Sequence, residues 1–546
     1  MFWLLSTLQR IRQLFSPMME AWSTFLQFLS ELFSFLIIRT YDTVKYLFHQ
    51  GFRDGRKRIP PLQIPYLSYS ATKLAKMIRE RKLTSEELVR AVIMRIREVE
   101  PLLNAVVDER FDGALHDAVK ADEELAFYEN MEELERTKPF LGVPFTVKDC
   151  ISVEGLLAEI GSEVRKGYRA ENNAVSVTRM IEAGGIPLAI SNVPEMCLWI
   201  ESSNRLHGRT NNPHDLHRTT GGSSGGEGAL VSSCASVWGI GSDIAGSIRL
   251  PSAWCGIFGH KPSPGHHSRE GLLPAQGQDI KSEIGVIGPM ARSVEDLVAM
   301  VKILANNPES LHLDCPVDLG SLRYFFCDHE GTSYISAVQP EVRKQVHRVV
   351  NFLKDQYNVE VQPLMEPEKM YQAPNYWFSF LTSKGFPELK TGFDPERTWD
   401  PLIELVKHVG GFSYRTINAI TISLLDEMHR SDADKCKELE AEFQEYKRTV
   451  NELLGNDGIL ILPSSVTVAP FHHGTLCQPG LYFGLAGLIN VLQLPSTVVP
   501  MGVDAHGQPL SVQIIAGYGQ DRLTLALAQA LEDKFGGYIP PWKTFT

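Results

Sequence analysis

Three segments of the 546-residue chain carry residues suited to acyl chemistry. Lys148 closes the apolar run PFTVK (144–148). A lysine there either extends its ammonium to solvent or, when desolvated, gives up its proton readily enough to act as a base near neutrality. Residues 219–228, TTGGSSGGEG, hold five glycines at 221, 222, 225, 226 and 228, with Ser223 and Ser224 between them. Such a backbone can take up positive φ and approach another group closely. It is not a phosphate loop, because no lysine follows the glycines at the GxxxxGK[ST] spacing. In GIGSDIAGSIRLPSAW (239–254), Ser247 follows Ala245-Gly246. The consecutive N–H groups of Ile244, Ala245, Gly246 and Ser247 are candidates to converge on an oxyanion.

Metal and cofactor chemistry have no comparable signal. There is no HExxH, and His266-His267 and His472-His473 are adjacent pairs that read as surface or loop residues. The eight cysteines, at 150, 197, 234, 255, 315, 327, 436 and 477, form no CxxC pair. They are expected as free, mostly buried thiols rather than a zinc site or a disulfide scaffold.

The elements that must position these residues are those of a large α/β protein. The composition, 43% hydrophobic and 22% charged, excludes a disordered chain. A net charge of −12 without a basic face argues against a nucleic-acid partner. Thr84 and Glu87 form a capping box ahead of Leu88, Val92, Ile96 and Val99 on one helical face. Strands are expected over 144–149, 235–244, 458–463 and 494–502, alternating with helical stretches. That alternation predicts a mixed or parallel sheet covered by helices on both faces. Ser431–Leu454 reads as a charged amphipathic helix with Leu439, Phe443, Tyr446, Val450 and Leu453 inward and Gly455 beyond its end. The aromatic run YQAPNYWFSF (371–380) reads as core rather than as a substrate channel.

Residues 1–58 form a separate N-terminal segment, and 59–546 one catalytic-type domain. From Met18 to Ile38 the segment is apolar for 21 residues, long enough to cross a bilayer core as a helix. Yet Glu20, Ser23, Thr24, Gln27, Ser30, Glu31 and Ser34 recur at steps of three and four, which places them on one stripe. A tilted single span and an interfacial amphipathic helix both fit. Arg10 and Arg12 precede the segment, whereas Arg39, Lys45, Arg53, Arg56, Lys57 and Arg58 follow it. If it spans, the following domain faces the cytoplasm.

Taken together, these segments resemble the amidase signature family. GVPFTVKD (142–149) precedes GGSSGGEGAL (221–230), with 223 − 148 = 75 positions between Lys148 and Ser223. SDIAGSIR (242–249) follows, with 247 − 223 = 24 positions between the two serines. LNAVV (103–107), GPMARSVEDL (288–297), PSSVTVAP (463–470) and GQPLSVQIIAG (507–517) extend the likeness over nearly all of the chain beyond residue 65. IFGHKPSPG (257–265), TVAPFHH (467–473) and the apolar N-terminus draw it nearest to members acting on fatty-acid amides. The resemblance implies a Ser–cisSer–Lys triad of Ser247, Ser223 and Lys148. It alone chooses Ser223 over Ser224 as the bridging hydroxyl. It further implies a lipid amide substrate met at a membrane, no cofactor, and a homodimer. Ala245 departs from a pattern in which glycine is common, so the hole is expected to survive with an altered acyl-side shape. A general amidase, an amidotransferase subunit and a catalytically silent membrane scaffold are the competing readings.

Overall fold

The computed structural model describes residues 58–274, 283–328, 338–364, 367–393, 399–477 and 479–543. The apolar segment expected over 1–58 lies, except for Arg58, outside the described residues. Among the described residues, no helix is long and apolar enough to cross a membrane.

An eleven-stranded mixed sheet forms the centre. Its strands are β1 (Val106–Glu109), β2 (Pro144–Lys148), β3 (Ile186–Ser191), β4 (Gly239–Asp243), β5 (Phe258–Lys261), β6 (Val286–Ala291), β7 (Arg323–Phe326), β8 (Val361–Pro363), β9 (Gly458–Pro463), β10 (Ser496–Val503) and β11 (Pro509–Ala516). They lie in the order β1-β3-β2-β4-β6-β5-β10-β11-β9-β7-β8. β2 pairs in parallel with both β3 and β4, and β7 with both β8 and β9. The remaining pairs are antiparallel.

Consecutive strand side chains point to opposite faces, and here both faces are buried. In β9, Ile459 and Ile461 join one hydrophobic core while Leu460 and Leu462 join the other. Val499 and Val498 of β10 divide in the same way, as do Ile514 and Ile515 of β11. This is why GILILP reads as continuously apolar, and it confirms a sheet covered on both sides.

Helix α1 (Ser85–Leu103) starts at the expected capping box. Glu87 N–H donates to Thr84 Oγ1 at 3.0 Å, and Thr84 N–H donates to Glu87 Oε2 at 2.9 Å. Such a cap stabilises by about 1 kcal/mol. The helices around the site are α2 (Gly225–Ser232), α3 (Arg249–Cys255), α4 (Ala373–Ser383), α5 (Pro401–Val409), α6 (Ile417–Arg430) and α7 (Ala433–Leu454). α7 starts at Asp432, whose side chain accepts from Lys435 N–H, and ends at Gly455 as expected, with Leu454 rather than Leu453 fully buried.

Two local expectations are corrected. The strand expected over 235–244 begins only at Gly239, because Ala235 N–H and Ser236 N–H still donate to Leu230 O at the end of α2. His267 is buried rather than on the surface, its Nδ1 lying 2.8 Å from Ile287 O.

Candidate active site

The C-terminal ends of β2 and β4, neighbours in parallel, bring the chemistry-bearing segments together. Lys148 is the last residue of β2 and is fully buried. Its Nζ donates to Ser223 Oγ at 2.7 Å, Ser242 Oγ at 3.0 Å and Ser242 O at 3.2 Å. Lys148 therefore does not reach solvent, and it forms no ion pair among the described residues. Ser242 and Asp243 end β4, and the chain then turns through 244–247 into α3.

Ser223 and Ser224 are now distinguished. Ser223 takes the lysine, while Ser224 donates its N–H to Ser247 O at 3.1 Å and its hydroxyl to Ser242 O at 3.3 Å. The Gly222-Ser223 peptide is cis. Glycine is needed at 226, where a Cβ would sit 2.4 Å from Asn192 N. Ser223 and Ser247 line one cavity, although Ser247 Oγ makes no hydrogen bond to another described residue.

A buried carboxylate holds the Ser247 turn. Asp243 Oδ1 accepts from Gly246 N–H at 2.7 Å, Arg249 Nη2 at 3.1 Å and Asn490 Nδ2 at 3.0 Å. Its Oδ2 accepts from Ile248 N–H at 3.0 Å, Arg249 Nε at 3.1 Å and Arg249 N–H at 3.4 Å. Burial alone would raise the Asp243 carboxyl, but the charge and hydrogen bonds of Arg249 outweigh it and hold the group well below the carboxylate range. Of the four N–H groups expected to face an oxyanion, that of Gly246 donates to Asp243 in this structure. Ile244, Ala245 and Ser247 keep N–H groups without a partner among the described residues, in a turn beside the cavities.

Two cavities meet at Ser247. The smaller, about 80 Å³, contains Ser223, Ser242, Cys150 and Cys197 in its wall. The larger, about 380 Å³, is walled mainly by Trp199, Ile200, Trp377, Phe378, Ile422 and Leu425. A mostly apolar chamber of this size suits a ligand of low polarity. The aromatic run expected as core divides: Tyr376 and Phe380 are core, whereas Trp377 faces both cavities and donates Nε1–H to Ile244 O at 3.1 Å.

Sequence reasoning missed Ser242, the Asp243–Arg249–Asn490 clamp, Trp377 and the two cavity thiols. Ser242 and Asp243 stand inside a motif it had singled out, but Asn490 is 247 positions from Asp243 and has no local signal. Cys150, Cys197, Cys234, Cys255, Cys315, Cys327 and Cys436 form no disulfide, as expected, with Cys315 exposed and Cys197 partly so.

The turn that carries Ser247, a buried amine and a cluster of serines thus lie together at the strand ends of a covered mixed sheet. The amidase family model matches residues 87–525, and the chain belongs to the amidase family. It is 40% identical over 538 residues to fatty-acid amide hydrolase 2-A of Danio rerio, covering 96% of this chain and 99% of that protein. Identity to fatty-acid amide hydrolase 2 of Homo sapiens is 38% over 506 residues, covering 90% and 94%. A solved fatty acid amide hydrolase shares the fold, with a TM-score of 0.69 at 21% identity, over 91% of this chain and 89% of that one. The protein is thus an enzyme that hydrolyses amides.

Proposed function

We propose that this enzyme cleaves the amide bond of fatty-acid amides through an acyl-enzyme on Ser247, with Ser223 relaying protons to Lys148. The observation that carries the reading is the 2.7 Å contact between Lys148 Nζ and Ser223 Oγ beside Ser247 in one cavity wall. Ser247 Oγ attacks the amide carbonyl and passes its proton to Ser223 Oγ, whose own proton moves to the uncharged Lys148 amine. The oxyanion is received by N–H groups of the 244–247 turn, from Ile244, Ala245 and Ser247. The chain of transfers reverses to protonate the departing nitrogen, and water then releases the acid.

The apolar wall of the larger cavity supports an acyl chain as the part bound there. The names of the similar hydrolases in fish and human support the same substrate class. Membrane association is part of the reading. On α5, Leu402, Ile403, Val406 and Val409 are exposed, and Phe412 follows them. Exposed Met428 of α6 lines the larger cavity, so a lipid surface that reached it would deliver an apolar amide toward Ser247. The 1–58 segment adds a second attachment, as a single span or an interfacial helix, with the catalytic domain on the cytoplasmic side.

The test is competition against a fluorophosphonate probe at Ser247 by amides of graded chain length. Protection that rises with chain length is expected; equal protection by acetamide selects a general amidase. Ser247→Ala and Lys148→Ala should each remove most turnover and should not add when combined, as members of one unit. An active Ser247→Ala enzyme refutes the assignment. Deleting residues 1–58 should release the protein from carbonate-washed membranes, and retention there ends the anchor reading.

A further inference from the structure

Glu227, in the first turn of α2, is fully buried and takes no part in the proposed proton relay. Its surroundings allow its hydrogens to be counted. Three short oxygen contacts run in a chain: Glu227 Oε2 to Thr146 Oγ1 at 2.6 Å, Thr146 Oγ1 to Ser236 Oγ at 2.9 Å, and Ser236 Oγ to Trp238 O at 2.7 Å. Each needs one hydrogen between its oxygens. A carbonyl supplies none, and each hydroxyl supplies one. Ser236 must therefore donate to Trp238 O, and Thr146 must donate to Ser236. The third hydrogen can come only from the carboxyl group of Glu227.

We infer that Glu227 works as an undissociated acid, a positioning residue that donates to Thr146 and ties α2 to the Lys148 strand without placing a counter-charge near the amine. Thr146 lies two residues before Lys148, so it shares that face of β2. Burial pushes the Glu227 carboxyl up to about 7, against the opposing pull of Thr146, Ser191 and Lys148. Space is tight as well, because a Cβ on Gly239 would overlap Glu227 Oε2.

The inference rests on the reading of Lys148 as the base, and two measurements separate the two. Infrared difference spectra of the full chain at about pH 6, below the raised pKa, should show the carbonyl stretch of an undissociated buried acid, lost in Glu227→Gln. That readout does not depend on turnover. In activity, Glu227→Gln keeps a donor of the same size for Thr146. Its kcat/KM should stay within about threefold of wild type, with the acid limb of the pH profile unmoved, whereas Glu227→Ala should fall about tenfold or more. A missing carbonyl band, or an acid limb displaced in Glu227→Gln, shows a carboxylate counter-ion and overturns the inference. If Glu227→Ala fails to fold, the infrared band and the Glu227→Gln profile still decide. Full activity in Lys148→Ala would instead end the base reading and leave the carboxyl assignment standing.

Discussion

Replacing Asp243 by Asn tests whether the Ser247 turn is held electrostatically. The six groups around this side chain are all donors, three on each oxygen. A carboxylate accepts from all of them; an amide turns one acceptor into a donor. With NH₂ in the Oδ1 position it faces Gly246 N–H, Arg249 Nη2 and Asn490 Nδ2. With NH₂ in the Oδ2 position it faces Ile248 N–H, Arg249 N–H and Arg249 Nε. Neither rotamer escapes. Arg249, fully buried, also loses its counter-charge, and breaking a buried pair costs about 3–5 kcal/mol. Arg249 keeps hydrogen bonds to Ala486 O at 2.8 Å and Asn490 Oδ1 at 2.6 Å, which places the loss near about 3 kcal/mol. Typical domains have about 5–15 kcal/mol of stability, so the variant still folds and can be assayed. Because the folded-state pKa is depressed, the contribution of Asp243 is fully present above its unfolded value and is lost only as pH falls through the folded one. The destabilisation should therefore be constant from about pH 5 upward. Urea unfolding gives the stability, and the rate of fluorophosphonate labelling reads the turn, with a drop of about tenfold or more expected. Wild-type labelling together with a stability change below about 0.5 kcal/mol would refute the electrostatic account of the turn.

Trp377→Phe removes the Nε1–H donated to Ile244 O while keeping an aromatic wall. One hydrogen bond of about 1 kcal/mol is at stake, so kcat should fall about fivefold with KM for long-chain amides changed less. Glu532, raised to about 7 by burial with Asp533, Glu295 and Asp296 nearby, gives a stability prediction of opposite sign to Asp243. A raised folded pKa means that its contribution is full below the unfolded value and lost as pH rises through about 7. Glu532→Gln should therefore melt higher than wild type at pH 8 and lack that advantage at pH 4. The gain at pH 8 should be about 1–2 kcal/mol after discounting for solvent screening.

The parts of the architecture legible in the sequence were those with local periodicity or end chemistry. GILILP reads as a doubly buried strand because successive residues face two cores, and Thr84 with Glu87 marks a helix start by side-chain bonds that span three residues. Gly222, Ser223 and Ser247 stood out because glycine and serine clusters are unusual inside a structured chain. The use of backbone donors was not legible. Nothing in DIAGSIR says that the Gly246 N–H turns inward to Asp243, a preference set by Arg249 and Asn490 in three dimensions. Trp377 shows the same limit, since helical spacing makes Tyr376, Trp377 and Phe380 alike, and only the emptiness beside Ile244 separates wall from core.

Arg249 and Lys148, both buried, are held in opposite ways. Arg249 must stay charged to hold a turn, and it is given a full carboxylate with both oxygens engaged. Lys148 faces hydroxyls and a carbonyl instead, which suits the proton acceptor that the proposed relay requires. An ionised Glu227 would set a counter-charge near the amine that the proposed relay uses, whereas the same residue in its acid form still braces the strand. The hydrogen count through Thr146 and Ser236 selects the acid form, which accords with the base reading of Lys148.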